Sequence, residues 1–311
     1  MSAIVSTVAP VFALILIGYL TTRWGAISQE AAKGLGEFAF VIAMPSLLFR
    51  TMVVSPPTTG SPTDILLAFF LSAAVAWVTT TVLAKAWLKR TGLEATALAM
   101  GASFGNSVML GFPLGLAHYG EAAAPAMAII IAAHSPILWM VASLQAEWMS
   151  GKGTVDLGGR VRDVIKDLAV NPVVFGVVLG SLWRFTGLGL NSVPDSILNL
   201  LGSAGVPASL FALGASLSRY KLRGDLDVLW LVVAVKLLLF PLVAYVLSIH
   251  VFALPESAAN ATILIAACPT GANAFLFAQR YDSAVGPVSQ AVALGTAIAA
   301  VTISLLFAVR G

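Results

Sequence analysis

The chain has 311 residues, 59% of them hydrophobic and only 10% charged, with a formal net charge of +3. A soluble domain carries about 25% charged residues, so a soluble fold is excluded and a polytopic membrane protein is expected. The single cysteine, Cys268, excludes a disulfide framework or a cysteine-based metal cluster, and the basic residues sit in short loops with no face for nucleic acid.

A spanning helix needs about 20 apolar residues. Ten stretches qualify: 4–22, 32–54, 64–88, 94–117, 122–147, 169–187, 193–217, 227–250, 256–279 and 284–309. The first lacks a basic leader and contains Pro10, so it reads as a retained helix rather than a cleaved signal peptide. In the second, Lys33 and Glu37 are spaced i,i+4 and form an interfacial pair. The fourth contains Gly105-Asn106-Ser107-Val108-Met109-Leu110-Gly111-Phe112-Pro113, and His118 and Glu121 follow it at a solvated edge. In the fifth, His134 precedes Ser135-Pro136, and Gln145 there, like Gln290 in the tenth, suits an interhelical hydrogen bond. The eighth carries Lys236, about nine residues and roughly 13 Å along the helix from Asp227. The ninth contains Ala267-Cys268-Pro269-Thr270-Gly271-Ala272-Asn273-Ala274.

The fourth and ninth stretches each put an Asn, a Pro and glycines where a spanning helix should be most regular. Pro113 and Pro269 lack an N–H and clash with the preceding turn, and the glycines add backbone freedom, so both helices should break. A break inside a bilayer is tolerated only where its freed backbone groups face protein or a water-filled cavity. Two such breaks in corresponding positions point to the central binding site of a transporter.

The link from 149 to 168 holds Lys152, Asp156, Arg160, Arg162, Asp163, Lys166 and Asp167, and divides the chain into five-helix units at 1–148 and 169–311. With the N-terminus outside, the inner loops carry Arg23, Lys33, Lys85, Lys89, Arg90, Lys152, Arg160, Arg162, Lys166, Arg219, Lys221, Arg223 and Arg280. The outer side carries only Arg50, Arg184 and Arg310. The link is then cytoplasmic and both termini are periplasmic. An odd number of helices per unit turns the second unit upside down relative to the first. Met44-Pro45-Ser46-Leu47-Leu48-Phe49 matches Val206-Pro207-Ala208-Ser209-Leu210-Phe211, Glu94 matches Glu256, and Pro125 matches Pro287, in the order an inverted repeat requires.

At the two broken stretches, at Ala278-Gln279-Arg280-Tyr281 and at Ile42-Ala43-Met44-Pro45-Ser46-Leu47-Leu48-Phe49, the chain resembles the auxin efflux carrier family. That family's bacterial members include malonate and malate carriers, and its plant relatives are the PIN auxin exporters. The likeness runs end to end, but the long central loop usual in plant members is missing, which favours the compact bacterial type. It implies an all-α membrane protein of ten transmembrane helices in two inverted five-helix repeats, with helices 4 and 9 broken and crossing at the midplane. Helices 1, 2, 6 and 7 would form a scaffold, and the rest would carry the crossing past it as an elevator. Members are often dimers through the scaffold.

Asn106 and Asn273 are the leading substrate-binding candidates, since an amide offers two donors and an acceptor without carrying charge into hydrocarbon. Each Asn could instead cap its own half-helix, and the two roles can coexist. Free N–H groups at the start of each half-helix favour an anion. Gly105, Gly111 and Gly271 let backbone or substrate come close, and Thr270 is near in sequence. Lys236 is a candidate counter-charge for a dianion, or a snorkelling lysine with a structural partner. His134 is a candidate for proton coupling, or a hydrogen-bonded core histidine. No catalytic constellation, metal-binding spacing or phosphate loop is present, so the chain reads as a secondary carrier rather than an enzyme or ATP-driven pump. The expected substrate is a small organic anion, most of all a dicarboxylate such as malonate or malate, carried across a bacterial inner membrane without cofactor and with H+ favoured over Na+ as coupling ion. The alternatives are a sodium-coupled symporter of the bile-acid type and an exporter of auxin-like monocarboxylates. A channel or a membrane-embedded sensor has less support, given the few polar residues in these helices.

Overall fold

The computed structural model describes residues 2–150, 158, 159, 162, 166, 170–219 and 225–310. Most of the 149–168 link, together with Lys221 and Arg223, lies outside the described residues. The described chain is helical, with one isolated antiparallel bridge between Gly105 and Thr270.

Local sequence explains where the helices start. Helix α1 spans Ser2–Arg23, and α2 spans Gln29–Val54, opened by Ser28, whose hydroxyl accepts from Ala31 N–H. A π turn at Ala39–Ala43 precedes Pro45 within α2. Helix α3 (Pro62–Ala86) begins with Pro in its first turn after Ser61, and α4 (Gly92–Ser103) begins with a reciprocal Thr91–Glu94 capping box. A π turn at Ser107–Gly111 leads into the short α5 (Phe112–Tyr119), and α6 spans Ala124–Ser150. Helix α7 (Pro172–Phe185) is capped by Asn171, whose Oδ1 accepts from Val173 and Val174 N–H. Then follow α8 (Ser192–Leu217), α9 (Leu226–Val251, with π turns at Val235–Leu239 and Leu247–Val251), α10 (Glu256–Ala267), α11 (Ala272–Arg280) and α12 (Val285–Arg310). Helices α1, α2, α3, α6, α8, α9 and α12 are long and apolar enough to cross a membrane.

The helices pack in two groups. In one, α1, α2, α7 and α8 pack on one another; in the other, α3 to α6 pack with α9 to α12. Glycines bring backbones into contact in the first group. A Cβ on Gly214 would lie 1.8 Å from Ile15 O, one on Gly18 2.1 Å from Phe211 O, and one on Gly176 2.5 Å from Pro45 O. Small residues are the usual means of close helix approach where lipid supplies no hydrophobic drive between helices. In the second group α4 and α10 form the centre. Ala95 to Ser103 and Ala258 to Ala267 are buried on every face, as expected of a helix with no polar stripe.

The structure refines two sequence expectations. The fourth stretch leaves helical geometry at Phe104, Gly105 and Asn106, upstream of Pro113. Pro113 sits instead directly after the Ser107–Gly111 π turn, within helical backbone that continues into α5. Pro269, by contrast, lies inside the interruption between α10 and α11. His118 is half-buried rather than freely solvated: its ring stacks on Phe307 at 3.6 Å, and its Nε2 is buried without a hydrogen-bond partner. Glu121 is exposed. The Lys33–Glu37 pair forms at 3.6 Å, and Gln145 joins α6 to α3 by accepting from Trp77 Nε1 at 2.6 Å.

Candidate functional site

The two interruptions meet and satisfy each other. Asn106 N–H donates to Pro269 O at 2.8 Å, and Gly271 N–H donates to Phe104 O at 2.9 Å. Backbone groups freed by one break are thus bonded by the other, which answers the cost of exposing them in an apolar interior. The helix ends around this bridge are also served. Thr270 Oγ1 donates to Gly101 O at 2.8 Å, and Lys236 Nζ donates to Ala266 O at 2.7 Å, near the C-terminal ends of α4 and α10. The opposite ends, where the Ser107–Gly111 turn and α11 begin, leave their first N–H groups without intrahelical partners.

A cavity of about 240 Å³ lies against this bridge. Asn106, Asn273, Gly105, Ser107, Gly271 and His134 are among its lining. Neither Asn uses its side chain as a cap. Asn106 accepts from Leu110 and Gly111 N–H through its backbone carbonyl, and α11 is capped by Gly271, with no side-chain bond at either position. The cap role considered for each Asn is therefore absent, and both amides are left for the cavity. Gly111 and Thr270 lie behind the cavity rather than in it. A Cβ on Gly111 would come 2.6 Å from Cys268 Sγ, and Thr270 is 1% exposed with its hydroxyl committed to Gly101.

His134 and Lys236 flank the crossing. Both are buried, and a row of rings runs between them. His134 is 4.8 Å from Phe104 and 6.5 Å from Phe69, Phe69 is 5.4 Å from Phe240, and Lys236 Nζ is 4.4 Å from the Phe240 centroid. His134 Nδ1 sits 2.9 Å from Ile131 O, which assigns the proton of a neutral ring to Nδ1. Nε2 is then a bare acceptor, buried and without a partner. Among the described residues, no group of three or more His, Cys, Asp or Glu is placed to hold a metal ion.

The profile of a family described as membrane transport protein matches residues 3–153 and 160–307. The chain belongs to that family. This membrane transport protein is 25% identical to the "Putative malonate transporter" of Rhizobium meliloti (strain 1021) over 315 residues, covering 100% of this chain and 97% of the relative. It is 26% identical to an uncharacterized transporter of Methanocaldococcus jannaschii, covering 95% of each chain. It is 23% identical to the auxin efflux carrier component 8 of Arabidopsis thaliana, covering 95% of this chain and 94% of the relative. The resemblance read from the broken stretches is thereby established: the chain is a multi-pass membrane protein, and its family and relatives are transporters rather than enzymes.

Sequence reasoning missed part of the site in this membrane transport protein. Asn171 and Ser135 line the crossing cavity and also a second cavity of about 290 Å³, which continues to Arg280 and Trp139. Phe40 and Met109 line the crossing cavity and a third opening beside Lys33 and Arg219. Asn-Pro at 171 and 172 gave only a helix-start signal. Its position over the broken helices depends on how α7 packs on α6.

Proposed function

We propose that this membrane transport protein is a secondary active carrier of small organic anions, most of all dicarboxylates such as malonate or malate. One observation carries the reading: two uncharged amides, Asn106 and Asn273, face a cavity where two broken helices begin, with neither side chain used as a cap. Amide donors, partnerless helix N–H groups and two positive dipole ends suit a carboxylate and need no compensating cation in the cavity itself. Gly105 and Gly271 keep the cavity wall to bare backbone, while Thr270 and Gly111 hold the crossing together from behind. Lys236, buried behind the site, is the proposed counter-charge. His134 lines the cavity and is the proposed proton-coupling residue, favouring H+ over Na+. The name of the Rhizobium relative supports malonate among the candidate substrates.

The architecture we propose has ten transmembrane helices in two inverted repeats, residues 1–148 and 169–311, joined by a cytoplasmic link at 149–168. Both termini are on the periplasmic face of a bacterial inner membrane. Pro269 keeps the second crossing helix from running through, while the first is interrupted at Phe104, Gly105 and Asn106. The group α1, α2, α7 and α8 is the scaffold, and its exposed apolar face, with Phe175, Leu182 and Phe185, receives a second copy. The other group carries the crossing along it as an elevator.

The test is uptake of labelled malonate into proteoliposomes by the intact chain, Asn106→Ala and Asn273→Ala, under imposed pH and sodium gradients. Saturable uptake driven by the pH gradient and reduced at least about tenfold in both variants is expected, since each loses a hydrogen bond to a charged group. Equal uptake by folded variants sinks the site; no saturable uptake of malonate sinks the substrate.

A further inference from the structure

No Asp, Glu, Lys or Arg is among the described residues lining the crossing cavity, yet a dicarboxylate brings two charges. The adjoining cavity supplies the missing one. Arg280, the last residue of α11, lines that cavity together with Asn171, Ser135 and Trp139. Asn171 and Ser135 line both cavities, so they form the threshold between Arg280 and the two crossing amides.

Three observations separate Arg280 from an ordinary solvated arginine. First, among the described residues it has neither an ion-pair nor a hydrogen-bond partner. The cations at the other opening are committed: Lys33 pairs with Glu37 at 3.6 Å, and Arg219 donates to Gln29 O at 3.0 Å. Second, no carboxylate is among the described residues lining the two joined cavities. Third, Asn171 spends its Oδ1 on Val173 and Val174 N–H, which fixes the amide plane and leaves its NH2 donors available. A planar fork beside a fixed amide and a hydroxyl is a set of donors suited to a carboxylate.

We infer that Arg280, with Asn171 and Ser135, forms a second carboxylate subsite in this vestibule and is the residue that makes the carrier prefer dicarboxylates to monocarboxylates. The inference rests on the crossing as the first carboxylate site. One carboxylate of the substrate lies at Asn106 and Asn273, and the other reaches back across the threshold toward Arg280. A monocarboxylate uses the crossing alone.

The experiment is equilibrium binding of labelled malonate and labelled acetate to the purified full-length chain in nanodiscs, at fixed ionic strength. The proteins compared are the unaltered chain, Arg280→Gln, Arg280→Lys and Asn106→Ala. Arg280 is exposed, so its variants should fold, and their thermal unfolding is recorded alongside. The unaltered chain should bind malonate about tenfold more tightly than acetate, the expected worth of one added charge-assisted contact. Arg280→Gln should remove that preference and leave acetate binding unchanged. Arg280→Lys should fall between, since an ammonium keeps the charge and loses the fork. Asn106→Ala should weaken both ligands. Malonate binding unchanged in Arg280→Gln, or malonate and acetate weakened together by it, overturns the subsite. So does an unaltered chain that fails to prefer malonate. If both ligands bind Asn106→Ala as well as the unaltered chain, the crossing itself is not the first site, and the two-point geometry falls with it.

Discussion

Lys236 is 1% exposed, and its ammonium donates to Ala266 O one residue before α10 ends. It also faces the Phe240 ring at 4.4 Å. A cation there meets the negative end of a helix dipole, and the ring adds a cation–π contact. Burying an ammonium is nonetheless expensive, and an apolar side chain of similar length is often as stable or more so. That contrast separates structure from function. Lys236→Met should unfold within a few degrees of the unaltered chain, since one unmet carbonyl costs about 1 kcal/mol and the removed desolvation offsets it. Malonate counterflow should fall at least about tenfold if the charge balances the anion at the crossing. Retained counterflow with lost stability reverses the assignment and makes Lys236 a structural cap. The residues legible in the sequence are those, like Lys236, Asn106 and Asn273, whose polarity is out of place in an apolar run. Arg280 and Asn171 were not legible, because a polar residue at a helix end is ordinary until folding turns it toward a cavity. Thr270 looked like a ligand only because it neighbours the break.

At the scale of elements, the breaks could be read but their positions only in part. Proline and glycine announce an interruption, yet a proline is also accommodated just after a π turn, where Pro113 is found. The four π turns among the described residues have no comparable signal, although those at Ala39–Ala43, Ser107–Gly111 and Val235–Leu239 each run into a helical turn that begins with a proline in its first two positions. The difference between the two helix groups was equally hidden, because it rests on which glycines meet backbone. Gly214 of α8 lies against the Ile15 carbonyl of α1, and Gly18 of α1 lies against Phe211 of α8, so each helix is keyed into the other. Carbonyl oxygens cannot swing aside as a side chain tip can. Gly214→Ala, whose Cβ would stand 1.8 Å from Ile15 O, must therefore push α1 and α8 apart. A loss of about 3 kcal/mol or more is expected, at the upper end of overpacking effects, measurable as a lower unfolding temperature in detergent. Gly34→Ala in α2 is the matched control: nothing lies within 4 Å of its added Cβ, so stability should hold or rise slightly. Equal stability of the two variants would mean that α1 and α8 slide rather than lock, against a rigid scaffold.

At the scale of the molecule, charge and cavity agree on a direction. The crossing opens toward Arg280 through one cavity and toward Lys33 and Arg219 through another. All three belong to the basic side that orientation rules put in the cytoplasm. On the proposed orientation the conformation is inward-facing, and the elevator reading requires that the same site be reached from the periplasm only after the second helix group has moved. Ala272 tests both points, because it is exposed and lines the crossing cavity and the opening beside Lys33. Cys268 is the single cysteine and is buried, so Ala272→Cys combined with Cys268→Ala gives one reactive thiol at the crossing. A membrane-impermeant maleimide should modify it faster in inverted membrane vesicles than in intact cells, and malonate should slow the reaction by occupying the cavity. Faster labelling in intact cells reverses the orientation. Equal labelling from both sides, unaffected by malonate, describes a continuous pore instead of a carrier. An alternating site gives unequal rates whose ratio shifts when a substrate gradient is imposed, because the gradient redistributes the two access states.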